Sequence, residues 1–363
     1  MTTEFTGWGV TLVTCGFLVN MLISGVHSAL GVVYVHWLQE FDEGKGFTSS
    51  IVSTRIALMY LLGPVTGHLM EVFGGGGVAL VGGALVSTGY FIAFFAQSVE
   101  VLIVAVGVIG GFGCSFVYLP SISITARYFT KRRGVAIGIV TSGAGFGAFI
   151  FPPLFTYLAA EFGWRGALLI TSGLTLHLCA CGMVFGITER NTSCEQTLSV
   201  DIETHERGSE CVVNKPTHMN IIKRCSRTLT SRASLVSAPM VLTLLVSKTF
   251  TALSYFVPAL YIVDRAVSYG ISLSEGSMFM SANGIGNIIG RLGSGALADQ
   301  HFVDITVLYI VVLMVFGTST CVSVLCKGSY TAHMTYAVTC GTAAGAWSTL
   351  LTPTIVELAG VER

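Results

Sequence analysis

The chain has little charge. Of its 363 residues only 10% are Asp, Glu, Lys or Arg, against 52% hydrophobic, whereas a soluble domain carries about 25% charged residues. Water is therefore not its main solvent, and the mean hydropathy of +0.75 agrees. The charges balance at 19 basic and 19 acidic residues, so no polybasic or polyacidic character points to a nucleic-acid partner. The 10 cysteines form no C-x-x-C pair, and no histidine stands at metal-ligand spacing. Cys15, Cys114, Cys179, Cys181, Cys321 and Cys340 lie in apolar runs and read as small buried residues. No Ser/His/Asp set or carboxylate pair shares a helical face, so no catalytic residue, metal or cofactor is expected and an enzyme is the weakest reading. The first apolar run lacks a basic leader and continues to about Trp37, which predicts a retained membrane helix in place of a cleaved signal peptide.

What the chain does have is long apolar segments. A hydrocarbon core about 30 Å thick needs roughly 20 apolar residues per helix. Segments of that kind predict helices over 8–37, 48–72, 77–98, 101–127, 134–160 and 165–188, then over 239–263, 274–298, 303–326 and 333–356. The expected fold is thus an all-α membrane protein of about ten spans. A six-helix bundle over 1–188 precedes a flexible linker over 189–237, and a bundle of about four helices over 238–363 stands two helices short of the first. The linker is marked by Asp201, Glu203, Glu206, Arg207, Glu210, Lys215, Lys223, Arg224 and Arg227.

Basic residues are unevenly shared between alternate loops. Arg127, Lys131, Arg132 and Arg133 precede the fifth helix, and Arg190, Arg207, Lys215, Lys223, Arg224, Arg227 and Arg232 fill the linker, while the opposite loops hold Lys45, Arg165, Arg265 and Lys327. The positive-inside rule then places the N-terminus and the linker in the cytoplasm. Small residues four apart, at Gly107/Gly111, Gly134/Gly138/Ser142, Gly143/Gly147 and Gly286/Gly290, predict close helix–helix approach.

Two polar stripes stand out. Gly16, Asn20, Ser24, His27 and Ser28 fall on one face of the first helix. They line a solute cavity or hold a neighbouring helix by hydrogen bonds, and four polar residues on one stripe favour the cavity. Gly284, Asn287, Arg291 and Ser294 form the second stripe. A guanidinium does not shed its proton, so Arg291 needs a carboxylate, water or an anionic solute within the span. Acids are scarce there: Asp299, Asp304 and Glu357 lie near helix ends. Anion binding is the favoured reading, since the fork of donors suits a carboxylate. Arg55 and Lys248 are the other cations inside spans, where a site role or snorkelling to the interface accounts for each. His177 reads as a packed histidine.

The segment Tyr128-Phe129-Thr130-Lys131-Arg132-Arg133-Gly134-Val135-Ala136-Ile137-Gly138 resembles the helix 4–5 motif of monocarboxylate transporters, Y-F-x-K-R-R-x-x-A-x-G. Gly163-Trp164-Arg165-Gly166-Ala167 resembles their G-W-R-G-A. Tyr255-Phe256-Val257-Pro258 and Tyr261-Ile262-Val263-Asp264-Arg265-Ala266 resemble their helix 7 exit. Gly7-Trp8-Gly9 resembles part of D-G-G-W-G-W, with Phe5 and Val10 in place of the acid and the last tryptophan. The resemblance implies the major facilitator fold, twelve helices in two halves, and alternating access around a midplane site. It makes Lys131, Arg132 and Arg133 a gating motif and Arg291 the arginine that meets a substrate carboxylate. The aspartate of proton-coupled lactate carriers aligns with Asn287 and their first-helix lysine with Ser28. His27 resembles a histidine of the thyroid-hormone and aromatic-amino-acid branch, whose helix 10 aspartate aligns with Ala344. The implied function is facilitated movement of a small monocarboxylate or amino-acid-like organic anion, without strong proton coupling, in the plasma membrane. The implied partners are that solute, the lipid bilayer and an ancillary single-span membrane glycoprotein. A truncated scaffold or solute-sensing receptor is the alternative, distinguished by binding without flux.

Overall fold

The computed structural model describes residues 7–129, 133–191, 256, 260–298, 304–326 and 329–358. Apart from Asn191 and Phe256, these belong to one unit formed by Met1–Arg190 and Val257–Arg363. Its described elements are helices that lie along the predicted apolar segments, except that one helix runs through the break expected between 160 and 165. The span expected over 239–263 lies almost wholly outside the described residues, as does the linker over 189–237 beyond Asn191. Helix α1 (Trp8–Phe41) leads to α2 (Lys45–Leu61), α3 (Gly63–Phe73), α4 (Gly75–Phe94) and α5 (Val99–Tyr128). Helix α6 (Arg133–Thr175) is followed by α7 (177–191) and by α8, described over 260–268. Three more follow: α9 (Leu273–Ala298), α10 (Ile305–Val322) and α11 (Tyr330–Leu358).

Local chemistry explains the breaks. The predicted span over 48–72 is two helices bent by 52°, because Pro64 in the first turn of α3 has no N–H to give the preceding turn. Helix α6 turns at Gly163, whose φ of 69° and ψ of 167° are open to glycine and costly for any residue with a Cβ. Ser272 and Glu275 form a reciprocal capping box that starts α9: Ser272 N–H and Oγ–H donate to Glu275 Oε2 and Glu275 N–H donates to Ser272 Oγ. Asp304 starts α10 by accepting from Val307 N–H at 3.0 Å.

Five described helices are long and apolar enough to cross a membrane, or six if the bent α2–α3 pair is one span. One of the five is the 58-residue run Gly134–Asn191, which Gly163 divides. The protein is therefore a multi-pass, all-α membrane protein. Its large apolar core joins α1, α2, α4, α5, α6 and α7 through residues such as Leu30, Trp37, Ile51, Tyr90, Phe155 and Phe185. A smaller cluster of Ile305, Tyr309 and Leu350 joins α10 to α11.

Helix α6 holds the arrangement that matters for the site. It packs against α1 on one side and α9 on the other. A Cβ on Gly147 would collide with the carbonyl of Met21 and the backbone of Gly25, so α1 and α6 touch backbone to backbone. Helices α9 and α11 interlock reciprocally: Gly286 and Gly290 lie against Val338 and Thr342, and Gly341 and Gly345 against Asn283 and Asn287. Gly134 and Gly138 meet nothing among the described residues, so that predicted small-residue stripe makes no close approach there.

Candidate functional site

The two polar stripes flank α6, one on α1 and one on α9. On α9, Arg291 Nε donates to Asn287 Oδ1 at 2.8 Å, one helical turn back. Asn287 is buried and Arg291 half-buried. Tyr118 of α5 lies within electrostatic range of the guanidinium. Ser294 Oγ–H turns back to the Arg291 carbonyl at 3.4 Å.

On α1, Asn20 is buried and gives Nδ2–H to its own helix at the Gly16 carbonyl, 2.9 Å away. Ser28 is buried and Ser24 half-buried. His27 Nδ1 lies 3.1 Å from Arg55 NH1. The structure brings Arg291 to Asn287 and His27 to Arg55, and it places Asn20, Ser24 and Ser28 along the same helix as His27. Arg55 does not snorkel: it is 2% exposed, with NH2 directed at Cys114 Sγ (3.2 Å) and the Ile23 carbonyl (3.4 Å). Lys248, Lys131 and Arg132 lie outside the described residues, and Arg133 is described only as the first residue of α6. His177 is exposed, its ring on the Leu174 carbonyl one turn back, which corrects its reading as a packed histidine.

Contacts between helices supply what spacing could not. Glu40 at the end of α1 takes Trp164 Nε1–H and pairs with Arg165 at 2.5 Å, while Arg165 NH2 donates to the Ala96 carbonyl and its guanidinium lies 4.3 Å from the Trp164 ring centroid. The G-W-R-G-A segment therefore ties α1, the α4–α5 connection and the second leg of α6 together on the face opposite the N-terminus. On that same face Lys45 pairs with Asp264 of α8 at 2.6 Å. Among the described residues, no three His, Cys, Asp or Glu side chains come together as a metal site.

Comparison with known proteins agrees with this architecture. The chain is 39% identical to human monocarboxylate transporter 14 over 176 residues, covering 48% of this chain and 34% of that protein. It is 28% identical to rat monocarboxylate transporter 13 over 357 residues, 98% of this chain and 76% of the relative. To mouse monocarboxylate transporter 12 it is 31% identical over 306 residues, covering 81% and 61%. The chain thus spans about a third of the first relative's length and about three-fifths of the third's. The family profile described as Major Facilitator Superfamily matches residues 16–363. A bundle of apolar helices, an arginine inside one of them and a match over nearly the whole length agree: the chain belongs to the Major Facilitator Superfamily.

Proposed function

We propose that the chain carries a small monocarboxylate, or an amino-acid-like or aromatic organic anion, across the plasma membrane by alternating access, as a facilitated step without strong proton coupling. The observation that carries this reading is Arg291: a permanent cation inside α9, oriented by Asn287, with Tyr118 of α5 within electrostatic range. A guanidinium so placed is suited to a carboxylate, which supplies charge and two acceptors at once. The name of the relatives, monocarboxylate transporter, supports the solute class. Asn287 and Ser28 do not titrate, so neither end of the site exchanges a proton.

The same reading takes the chain as ten spans, with a six-helix group over 1–188, a cytoplasmic linker over 189–237 and a four-helix group over 238–363. Its N-terminus is cytoplasmic on the strength of the basic loops.

Reconstitution tests the proposal. Proteoliposomes should take up radiolabelled lactate, pyruvate or phenylalanine by a saturable route, and Arg291→Lys should lose that uptake almost as fully as Arg291→Ala, because lysine offers a hydrated point charge in place of a planar fork. Near-normal uptake with Arg291→Ala would make the arginine structural. Binding of these solutes without flux would favour a scaffold or receptor.

A further inference from the structure

Arg55 is as deeply buried as the apolar core around it, and its Nε has no hydrogen-bond partner. Its two terminal nitrogens reach His27 Nδ1, Cys114 Sγ and the Ile23 carbonyl. Among the described residues no carboxylate lies within ion-pair distance of it. A guanidinium has five donors, no acceptor and no accessible neutral form. A contact in which one side can only donate decides the state of the other. His27 Nδ1 must accept, so it carries no proton, and the proton of the neutral ring is on Nε2.

We infer that Arg55 is a positioning residue of the solute site, which fixes His27 as the neutral Nε2–H tautomer so that the ring meets the solute as a donor and takes no part in proton carriage. The part that concerns the solute rests on the transport reading above; the tautomer does not. A donor at Nε2 selects solutes with an acceptor there, such as a carboxylate, carbonyl or phenolic oxygen, and disfavours an ammonium group. Arg55 comes from α2, Cys114 from α5 and Tyr90 from α4. Helix α6 presents Gly147 and Phe151 against α1 at Gly25, two residues before His27. Arg291, the charged member of the α9 stripe, is a second permanent cation.

Two measurements test this in the full chain. Nitrogen NMR of protein labelled at its histidine rings, in lipid nanodiscs, should show one ring with a pyridine-type Nδ1 and a protonated Nε2 whose signals vanish in His27→Gln. An Nδ1–H ring or an imidazolium at that residue overturns the inference, and no flux is needed to see it. Uptake of radiolabelled lactate and phenylalanine should be flat between about pH 5.5 and 7.5. Arg55→Leu should make uptake vary at least threefold across that range, an effect removed by adding His27→Gln, while Arg55→Lys, which keeps a cationic donor, should stay flat. A folded Arg55→Leu with flat uptake overturns the role. Should Arg55→Leu fail to fold, the NMR result on the unmodified chain decides. If the unmodified chain moves neither solute, the transport reading fails while the tautomer is still decided.

Discussion

Lys45, the first residue of α2, and Asp264 of α8 meet in a 2.6 Å ion pair that joins α2 to α8. Tyr34 lies beneath it: its hydroxyl donates to the Lys45 carbonyl at 3.0 Å, and its ring meets Tyr261 edge-on at 5.6 Å. In this arrangement α2 and α8 are latched on the face opposite the N-terminus. Under the alternating access proposed above, that latch has to be released in each cycle.

The latch should therefore set rate more than stability. Lys45 is 59% exposed, and exposed pairs contribute about 1 kcal/mol at most, a factor of roughly five. Lys45→Asp and Asp264→Lys should each change uptake by up to that factor with little change in melting temperature in detergent. The double swap Lys45→Asp/Asp264→Lys should restore the original rate. A loss in the double swap equal to the sum of the two single losses would show that the two residues act separately.

Gly163 is expected to be intolerant for a backbone reason. Its φ and ψ place it in a region that costs any L side chain about 1–3 kcal/mol, and the turn it makes delivers Trp164 and Arg165 to Glu40. Gly163→Ala should lower the melting temperature and loosen that junction. The Trp164 fluorescence should shift to the red and become more accessible to quencher. An unchanged melt and emission would mean that α6 can bend elsewhere.

The reciprocal glycines give a paired prediction. A side chain on Gly345 would fall on the Asn287 carbonyl and force α9 away from α11, whereas Gly134 and Gly138 meet nothing among the described residues. Overpacking of this kind costs about 1–3 kcal/mol. Gly345→Leu should reduce the yield of monodisperse protein and displace the Asn287–Arg291 turn, while Gly138→Ala should be silent. Size-exclusion profiles and thermal melts of the two variants compare them directly.

How much of this could be read from the chain alone depends on the range of each interaction. Most helices were legible because apolar length acts locally, but the bend at Pro64 inside the segment predicted over 48–72 was not read. The Asn287–Arg291 contact was legible for the same reason, since residues four apart share a helix face. His27 and Arg55 are 28 positions apart on different helices, and periodicity says which residues share a face but not which faces meet. Snorkelling and burial are therefore indistinguishable for Arg55 by sequence, and the fixed tautomer of His27 was invisible. Lys45 and Asp264 read only as loop and motif residues, because the two lie 219 positions apart.

The sharpest test of the site is to return the acid that the resemblance to lactate carriers leads one to expect. Asn287 Oδ1 already accepts from Arg291 Nε at 2.8 Å, so Asn287→Asp changes almost no geometry and adds a charge that partners the guanidinium. Once ionised, the introduced carboxylate neutralises Arg291 and competes with the carboxylate of the solute. Apparent affinity for lactate at about pH 7.5 should then fall roughly tenfold, about 1.4 kcal/mol, the size of a modest ion-pair competition. Protonation would remove that competition, but the adjacent guanidinium holds an aspartate below its ordinary range near about 3.9, so the introduced acid stays ionised between about pH 7.5 and 5. The sign is therefore fixed: Asn287→Asp should bind lactate more weakly across that whole range, with no recovery as the pH falls. If Asn287→Asp instead binds lactate as tightly as the unmodified chain, Arg291 is not the group that meets the carboxylate.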